Sequence, residues 1–302
     1  MNRTVLLLLV AVLAPAVFGA ACLAVVLVFA IHDSGMHKLA VNGVERTYYL
    51  YVPDQLPSGA PLVIMLHGYG SDGRAVVRDF GWETEADRGR FVVAGPDASR
   101  TFPGATPDRR NRRSWNAGVA GEAGGVEHSD DVGFIVAVID DLARNTGIDR
   151  RRVYVAGFSS GGQMASRLGQ EIAGRLAAIS MSASQVVVFP RPPSRGVPIL
   201  FSAGDLDPVT PVEGSRVELP GAPSFVREAH RTLVDRWRML DGCPAAHRVP
   251  SPKDTIVEVS APCRNGSEVR YILMQGVAHE WPTNHPINLT RVSWEFFKRF
   301  SL

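Results

Sequence analysis

The chain has 302 residues, is 45% hydrophobic and carries Lys+Arg 32 against Asp+Glu 30, a formal net charge of +2. That balance excludes a largely disordered chain and supplies no basic footprint for a nucleic-acid partner. Three cysteines are too few for a disulfide scaffold, and no repeat of about 20 to 50 residues points to a solenoid or propeller.

In chain order, the first element is an apolar leader. Thr4 to Ile31 contains no charged residue and, at ~1.5 Å per residue in a helix, it outreaches a ~30 Å hydrocarbon layer. Arg3 and the α-amino group precede it, an asymmetry that keeps the amino terminus cytoplasmic and sends the remainder outside. Residues 1–31 therefore read as a signal or anchor segment, and residues 32–302 as one exported domain, secreted or attached to the outer face of the membrane. An uncleaved anchor, associating with the membrane through residues 4–31, fits the length. Val28-Phe29-Ala30 offers small residues to a peptidase, and Cys22 raises lipidation, although Gly19-Ala20-Ala21 lacks the aliphatic residue expected three before such a cysteine.

Beyond the leader, Arg46 to Val52 alternates and predicts an antiparallel strand at the sheet's amino-terminal edge. Strand-length runs follow at Leu62–Leu66, Phe91–Ala94, Val153–Ala156, Ala177–Met181, Ile199–Ala203 and Val269–Met274. Most are apolar throughout, as parallel strands covered on both faces are. Helical spacing is read over Asp131 to Asn145, Gly162 to Ile172, Phe225 to Leu240 and Leu289 to Phe300. This alternation predicts an α/β fold with a mostly parallel central sheet and helices on both faces. Ser182 to Val197 is short and rich in Pro and Ser, so no large lid domain is expected. In an oxidising compartment, Cys243 and Cys263, on either side of a Pro-rich loop, are expected to form a disulfide.

Gly157-Phe158-Ser159-Ser160-Gly161 follows one strand directly and opens a helix, the strand–turn–helix context in which a G-x-S-x-G serine is held in a strained turn with its hydroxyl exposed. Such a serine needs a base, an acid to orient the base, and donors for an oxyanion. His279, just past the last strand, is the candidate base. The acid is Asp207 in Gly204-Asp205-Leu206-Asp207-Pro208, with Asp205 its competitor on the same turn. The order Ser159, Asp207, His279 is that of α/β-hydrolases. Backbone amides of Tyr69, in Leu66-His67-Gly68-Tyr69-Gly70, and of Ser160 are the candidate oxyanion donors. His67 itself reads as a loop-shaping residue. No metal is expected: His279-Glu280 begins like a zinc HExxH helix, but Pro282 interrupts it and Thr283 stands where the second histidine would be. Neither GxGxxG nor GxxxxGK[ST] is present, and no cofactor is expected.

These residues, with Ser114-Trp115-Asn116-Ala117-Gly118, Asp130-Asp131-Val132-Gly133-Phe134-Ile135 and His279-Glu280-Trp281-Pro282, make the chain after about His37 resemble the secreted esterases that include polyhydroxybutyrate depolymerases, feruloyl esterases and LpqC-type lipoproteins. The resemblance implies an α/β-hydrolase catalytic domain with Ser159, Asp207 and His279 as triad and Tyr69 and Ser160 as oxyanion donors. One departure concerns Val119 to Gly125, where members often carry a cysteine pair and this chain has none. The expected partner is an ester, bulky or polymeric, in an open cleft. Ala98 to Ser129 is its expected wall, Trp115 is a candidate substrate-binding aromatic or equally a buried structural residue, Trp281 is a second candidate substrate-binding aromatic, and Arg100, Arg109, Arg110, Arg112 and Arg113 form a basic group there that suits an anionic substrate or a solvated loop. Acyl transfer or peptide cleavage by the same triad, and a non-catalytic surface-binding module, stand as the rival readings.

Overall fold

The computed structural model describes residues 34–100, 112–118, 129–185, 192–217 and 225–302. The leader, with the expectation of export that rests on it, lies outside them, as do Arg109 and Arg110 and most of the expected cleft wall. Among the described residues no helix is long and apolar enough to cross a membrane.

Twelve strands are present among these residues: β1 (Gly35–Val41), β2 (Val44–Tyr51), β3 (Leu62–Leu66), β4 (Val92–Pro96), β5 (Val153–Phe158), β6 (Ala178–Ser182), β7 (Ile199–Gly204), β8 (Ser215–Val217), β9 (Phe225–Arg227), β10 (His247–Val249), β11 (Thr255–Ser260) and β12 (Val269–Met274). Ten form one sheet in the order β1-β2-β4-β3-β5-β6-β7-β12-β11-β10, while β8 and β9 pair apart from it. The stretch from β4 to β12 is parallel throughout. Antiparallel strands extend it on both sides: β2, expected at the edge, is covered by β1, which forms the edge there, and β11 with β10 lies at the other.

The period of two divides the strand side chains between two cores. Leu62, Ile64, Leu66, Val153 and Val155 face one, under α3 (Asp131–Asn145), α4 (Ser160–Glu171) and α5 (His230–Leu240). Val63, Met65, Tyr154 and Ala156 face the other, under α1 (Gly73–Asp79), α2 (Trp82–Gly89) and α6 (Leu289–Phe297). Asp130 caps α3 by accepting the Gly133 N–H at 2.8 Å. Behind that cap, buried Asp131 pairs with Arg46 at 2.7 Å and accepts the Asn116 N–H at 2.7 Å, tying β2 and the 112–118 segment to the helix.

Two helix expectations need correction. The helix read as beginning at Phe225 begins at His230, because Phe225–Arg227 is extended and pairs with Ser215–Val217. The last helix ends at Phe297, three residues earlier than its spacing suggested. Cys243 and Cys263 are joined by a disulfide.

Candidate active site

The sheet's carboxyl-terminal edge collects the chemistry, because the segments that leave β3, β5, β7 and β12 there carry His67, Ser159, Asp207 and His279. Ser159 occupies the turn between β5 and α4 with φ 53 and ψ −122, a left-handed conformation that costs a non-glycine residue about 1–3 kcal/mol. Hydrogen bonds hold it there. Its N–H donates to Ser182 O at 3.0 Å, and its carbonyl accepts from the Gly162 N–H at 2.9 Å and from Ser184 Oγ at 2.8 Å.

The turn closes only with glycine on both sides. A Cβ on Gly157 would lie 2.2 Å from Gly161 O, and one on Gly161 would lie 2.3 Å from Leu66 O. Any side chain at these two positions would push helix α4 away from the sheet and carry Ser159 with it.

His279 Nε2 lies 3.0 Å from Ser159 Oγ, and its Nδ1 lies 2.8 Å from Asp207 Oδ2. A carboxylate only accepts, so Nδ1 carries the proton and Nε2 is left to accept from the serine hydroxyl. Asp207 is almost wholly buried. Its Oδ1 accepts the N–H groups of Val209 at 2.7 Å and Thr210 at 2.8 Å, and Oδ2 accepts Thr210 Oγ1–H at 2.6 Å. Burial alone pushes this carboxyl upward, but hydrogen bonds from His279 and Thr210 together outweigh it and hold the group at about 2. The turn thus presents a permanent anion to the imidazole. Asp205 points outward and accepts the Gly276 N–H at 2.7 Å, which braces the turn leaving β12. Of the two aspartates, the geometry brings Asp207 to His279.

Tyr69 belongs to the loop leaving β3. A Cβ on Gly68 would sit 3.4 Å from Ser159 Cβ and 3.2 Å from the Phe158 ring, so this backbone runs directly against the Ser159 turn. On either side of the Tyr69 amide, Gly70 N–H donates to Arg113 O at 2.9 Å and Ser71 N–H to Gly68 O at 3.2 Å. The Ser160 amide opens α4, where the positive end of the helix dipole lies.

Both tryptophans singled out as substrate faces are buried instead, Trp115 at 3% and Trp281 at 4% exposure. The Trp115 indole N–H donates to His67 O at 2.8 Å, and His67 Nε2 in turn accepts the Ala98 N–H at 3.0 Å. Since Nε2 accepts, Nδ1 donates to Gly68 O at 2.7 Å; burial holds the ring neutral, as that pattern requires. Trp115 is a strut beneath the glycine loop. Trp281 closes an aromatic column: it stacks on Phe80 at 5.4 Å, Phe80 meets Phe158 edge-on at 5.6 Å, and Phe158 packs on the His279 ring at 5.1 Å. Its indole N–H donates to Thr290 Oγ1 at 2.9 Å, whose hydroxyl reaches Phe80 O at 2.6 Å. The sequence offered no signal for this column beyond the residue types, and none for Thr210 and Ser184. Arg113, from the expected basic group, pairs with Asp97 at 3.2 Å.

The family model for phospholipase/carboxylesterase proteins matches residues 53–218, more than half of the chain, and spans the serine turn and Asp207. The chain belongs to this family. NocK of Nocardia uniformis subsp. tsuyamanensis, whose name records an esterase assignment, is 28% identical over 268 residues, covering 81% of this chain and 73% of NocK. A bifunctional acetylxylan esterase/xylanase of Neocallimastix patriciarum is 24% identical across 86% of this chain, which spans 34% of that longer protein. Other relatives are named feruloyl esterase and poly(3-hydroxybutyrate) depolymerase. Among solved structures, acetyl xylan esterase from Aspergillus awamori superposes with TM-score 0.59 over 87% of this chain and 99% of that one, at 16% identity, a likeness that speaks for the fold. Membership makes the chain a carboxylic ester hydrolase of the α/β-hydrolase superfamily.

Proposed function

We propose that the chain is an exported serine esterase that cleaves bulky or polymeric carboxylic esters through an acyl-enzyme. The observation that carries this reading is the unbroken relay from Ser159 Oγ to His279 Nε2 and from His279 Nδ1 to Asp207, with the serine on a strained turn. As Oγ attacks the ester carbonyl, Nε2 takes its proton, and Asp207 stabilises the imidazolium without accepting a proton itself. The oxyanion forms against the Tyr69 and Ser160 amides, and their fixed orientation means little reorganisation as charge develops. His279 then returns the proton to the leaving alcohol, and water repeats the sequence on the acyl-serine, releasing the acid.

Export rests on the uncharged leader, and disulfide formation between Cys243 and Cys263 agrees with an oxidising compartment. The relatives' names direct the substrate search toward feruloylated and acetylated sugars and hydroxybutyrate oligomers. A panel of these esters, run with and without an acceptor alcohol, tests the reading. Free acid as the main product supports a hydrolase, transfer to the alcohol as the main route contradicts it, and Ser159→Ala is expected to lose turnover on every ester the wild type cleaves.

A further inference from the structure

Glycine flanks Tyr69 on both sides, in Gly68-Tyr69-Gly70, with Gly70 at φ 78. Peptide planes next to glycine turn over easily, because no Cβ penalises the flipped backbone. An amide that must meet an oxyanion from one direction needs something to stop that flip. The Tyr69 N–H shares its peptide plane with the Gly68 carbonyl, and in a trans peptide the two point to opposite sides. Whatever grips Gly68 O therefore aims the Tyr69 N–H.

His67 supplies the grip. Its Nδ1–H donates to Gly68 O at 2.7 Å, while the Ser71 N–H reaches the same oxygen at a longer 3.2 Å. The ring is anchored outside the loop: Nε2 accepts the N–H of Ala98, just past the end of β4, at 3.0 Å, and the ring packs on Trp115 with centroids 5.1 Å apart. His67 is fully buried, so water does not compete for either bond. A side chain needed only to fill this space would be apolar, since a buried imidazole must find partners for both nitrogens. Here one nitrogen serves the frame and the other serves the peptide that carries the candidate oxyanion donor.

We propose that His67 is a positioning residue for the oxyanion: its Nδ1–H locks the Gly68–Tyr69 peptide with the Tyr69 N–H turned toward the site above Ser159, and polarises that amide. A hydrogen bond at the carbonyl draws electron density from nitrogen to oxygen, which strengthens the N–H as a donor by roughly 10–30%. Acylation and deacylation both pass through an oxyanion at the same place, so the effect falls on kcat and leaves ground-state binding almost untouched. The inference rests on the serine esterase reading, with the Tyr69 amide as one of its donors.

Two replacements separate aiming from bracing, because each preserves one of the two nitrogens' contacts. Asparagine places its NH₂ near the Nδ1 position and reaches no further, so His67→Asn keeps the bond to Gly68 O and leaves the buried Ala98 N–H without its acceptor. Glutamine extends to the Nε2 position, so His67→Gln keeps an acceptor for Ala98 and releases Gly68 O. The measurements are steady-state kinetics on p-nitrophenyl butyrate, thermal melts, and inhibition by a trifluoromethyl ketone, which adds to a reactive serine as an anionic tetrahedral adduct. His67→Gln is expected to lose about tenfold in kcat with KM within about twofold of wild type, and about tenfold in affinity for the ketone, less than the order of 10²–10³ that removing a donor outright costs. His67→Asn is expected to melt below His67→Gln yet keep kcat within about threefold of wild type. Activity and stability then rank the two variants in opposite orders, which a purely structural histidine does not produce. Should His67→Asn fail to fold, the ketone affinity of His67→Gln decides, reduced in step with kcat if the inference holds and unchanged if it does not. Wild-type kcat in His67→Gln, kcat losses that follow the melting losses, or a change in KM alone would overturn the inference while leaving the esterase reading intact. A wild-type protein that neither turns over the ester nor reacts at Ser159 fails the esterase reading, and this inference falls with it.

Discussion

Replacing Asp207 by asparagine alters one atom and almost no volume, and the structure says which way the new amide must point. Oδ1 accepts two backbone N–H groups, from Val209 and Thr210, so the amide oxygen has to take that place and the NH₂ takes the place of Oδ2. There it donates toward His279 Nδ1, which forces the imidazole proton onto Nε2, facing Ser159. A base that presents a proton cannot remove one. An equivalent tautomer lock in an unrelated triad costs on the order of 10⁴ in kcat, about 5 kcal/mol, and the same order is expected here. Stability falls as well. Holding the carboxyl at about 2 instead of its ordinary 3.8 corresponds to about 2 kcal/mol at neutral pH. In the wild type this contribution is full above about pH 4 and disappears as pH falls toward 2; the asparagine variant never has it. The assay is kcat/KM for p-nitrophenyl acetate between pH 5 and 9, alongside urea melts, with Asp205→Asn as control, expected within about threefold of wild type because Asp205 braces only the Gly276 amide. An Asp207→Asn enzyme within tenfold of wild type, or an Asp205→Asn enzyme as crippled as it, would refute the reasoning.

Phe80→Ala removes the centre of the aromatic column and should cost about 2–4 kcal/mol in a thermal or urea melt; kcat should fall while KM holds, since the ring packed behind His279 loses its support. Asp241 sits fully buried beside the disulfide, and burial raises it to about 6 despite hydrogen bonds from Ser267 and the Val197 N–H and the nearby Arg264 charge. Because its folded value lies above the unfolded one, its stabilising contribution is present below about pH 4 and is lost as pH climbs toward 6, by about 3 kcal/mol. Melts of Asp241→Asn across that window should lack this slope. Reducing the Cys243–Cys263 bond, or replacing both cysteines by serine, should lower stability by about 2–4 kcal/mol in melts run with and without reductant, leaving turnover of the surviving folded enzyme unchanged.

The parallel strands were legible because burial on both faces leaves continuous apolar runs such as Leu62–Leu66, and the meeting of Ser159, Asp207 and His279 because each follows one of those runs. β1 escaped notice: it is an edge strand, alternately half-covered, and Gly35 to Val41 carries no strong pattern. α1 and α2 span seven and eight residues, about two turns, too short for a helical period to declare itself. Phe225 and Val226 read as helical only because their apolar character runs on into the pattern of α5; pairing with β8 overrides it. The burial of Trp115 and Trp281 was not legible for a different reason. An indole offers the same apolar face to a ligand or to a core, and what decides between them is an acceptor for its N–H, here His67 O, 48 residues away, and Thr290 Oγ1. The sequence favoured Asp207 over Asp205 without excluding it, and it is the path of the turn that buries the one and exposes the other.

The central claim is that Ser159 is activated by His279. Incubation of the oxidised protein with a fluorophosphonate probe, followed by peptide mass spectrometry, tests it most directly. A single adduct on the peptide holding Ser159, formed at a rate that drops at least a thousandfold in His279→Ala, is the expected result. No adduct under conditions where the esters turn over, or an adduct on another residue with Ser159 untouched, would contradict it.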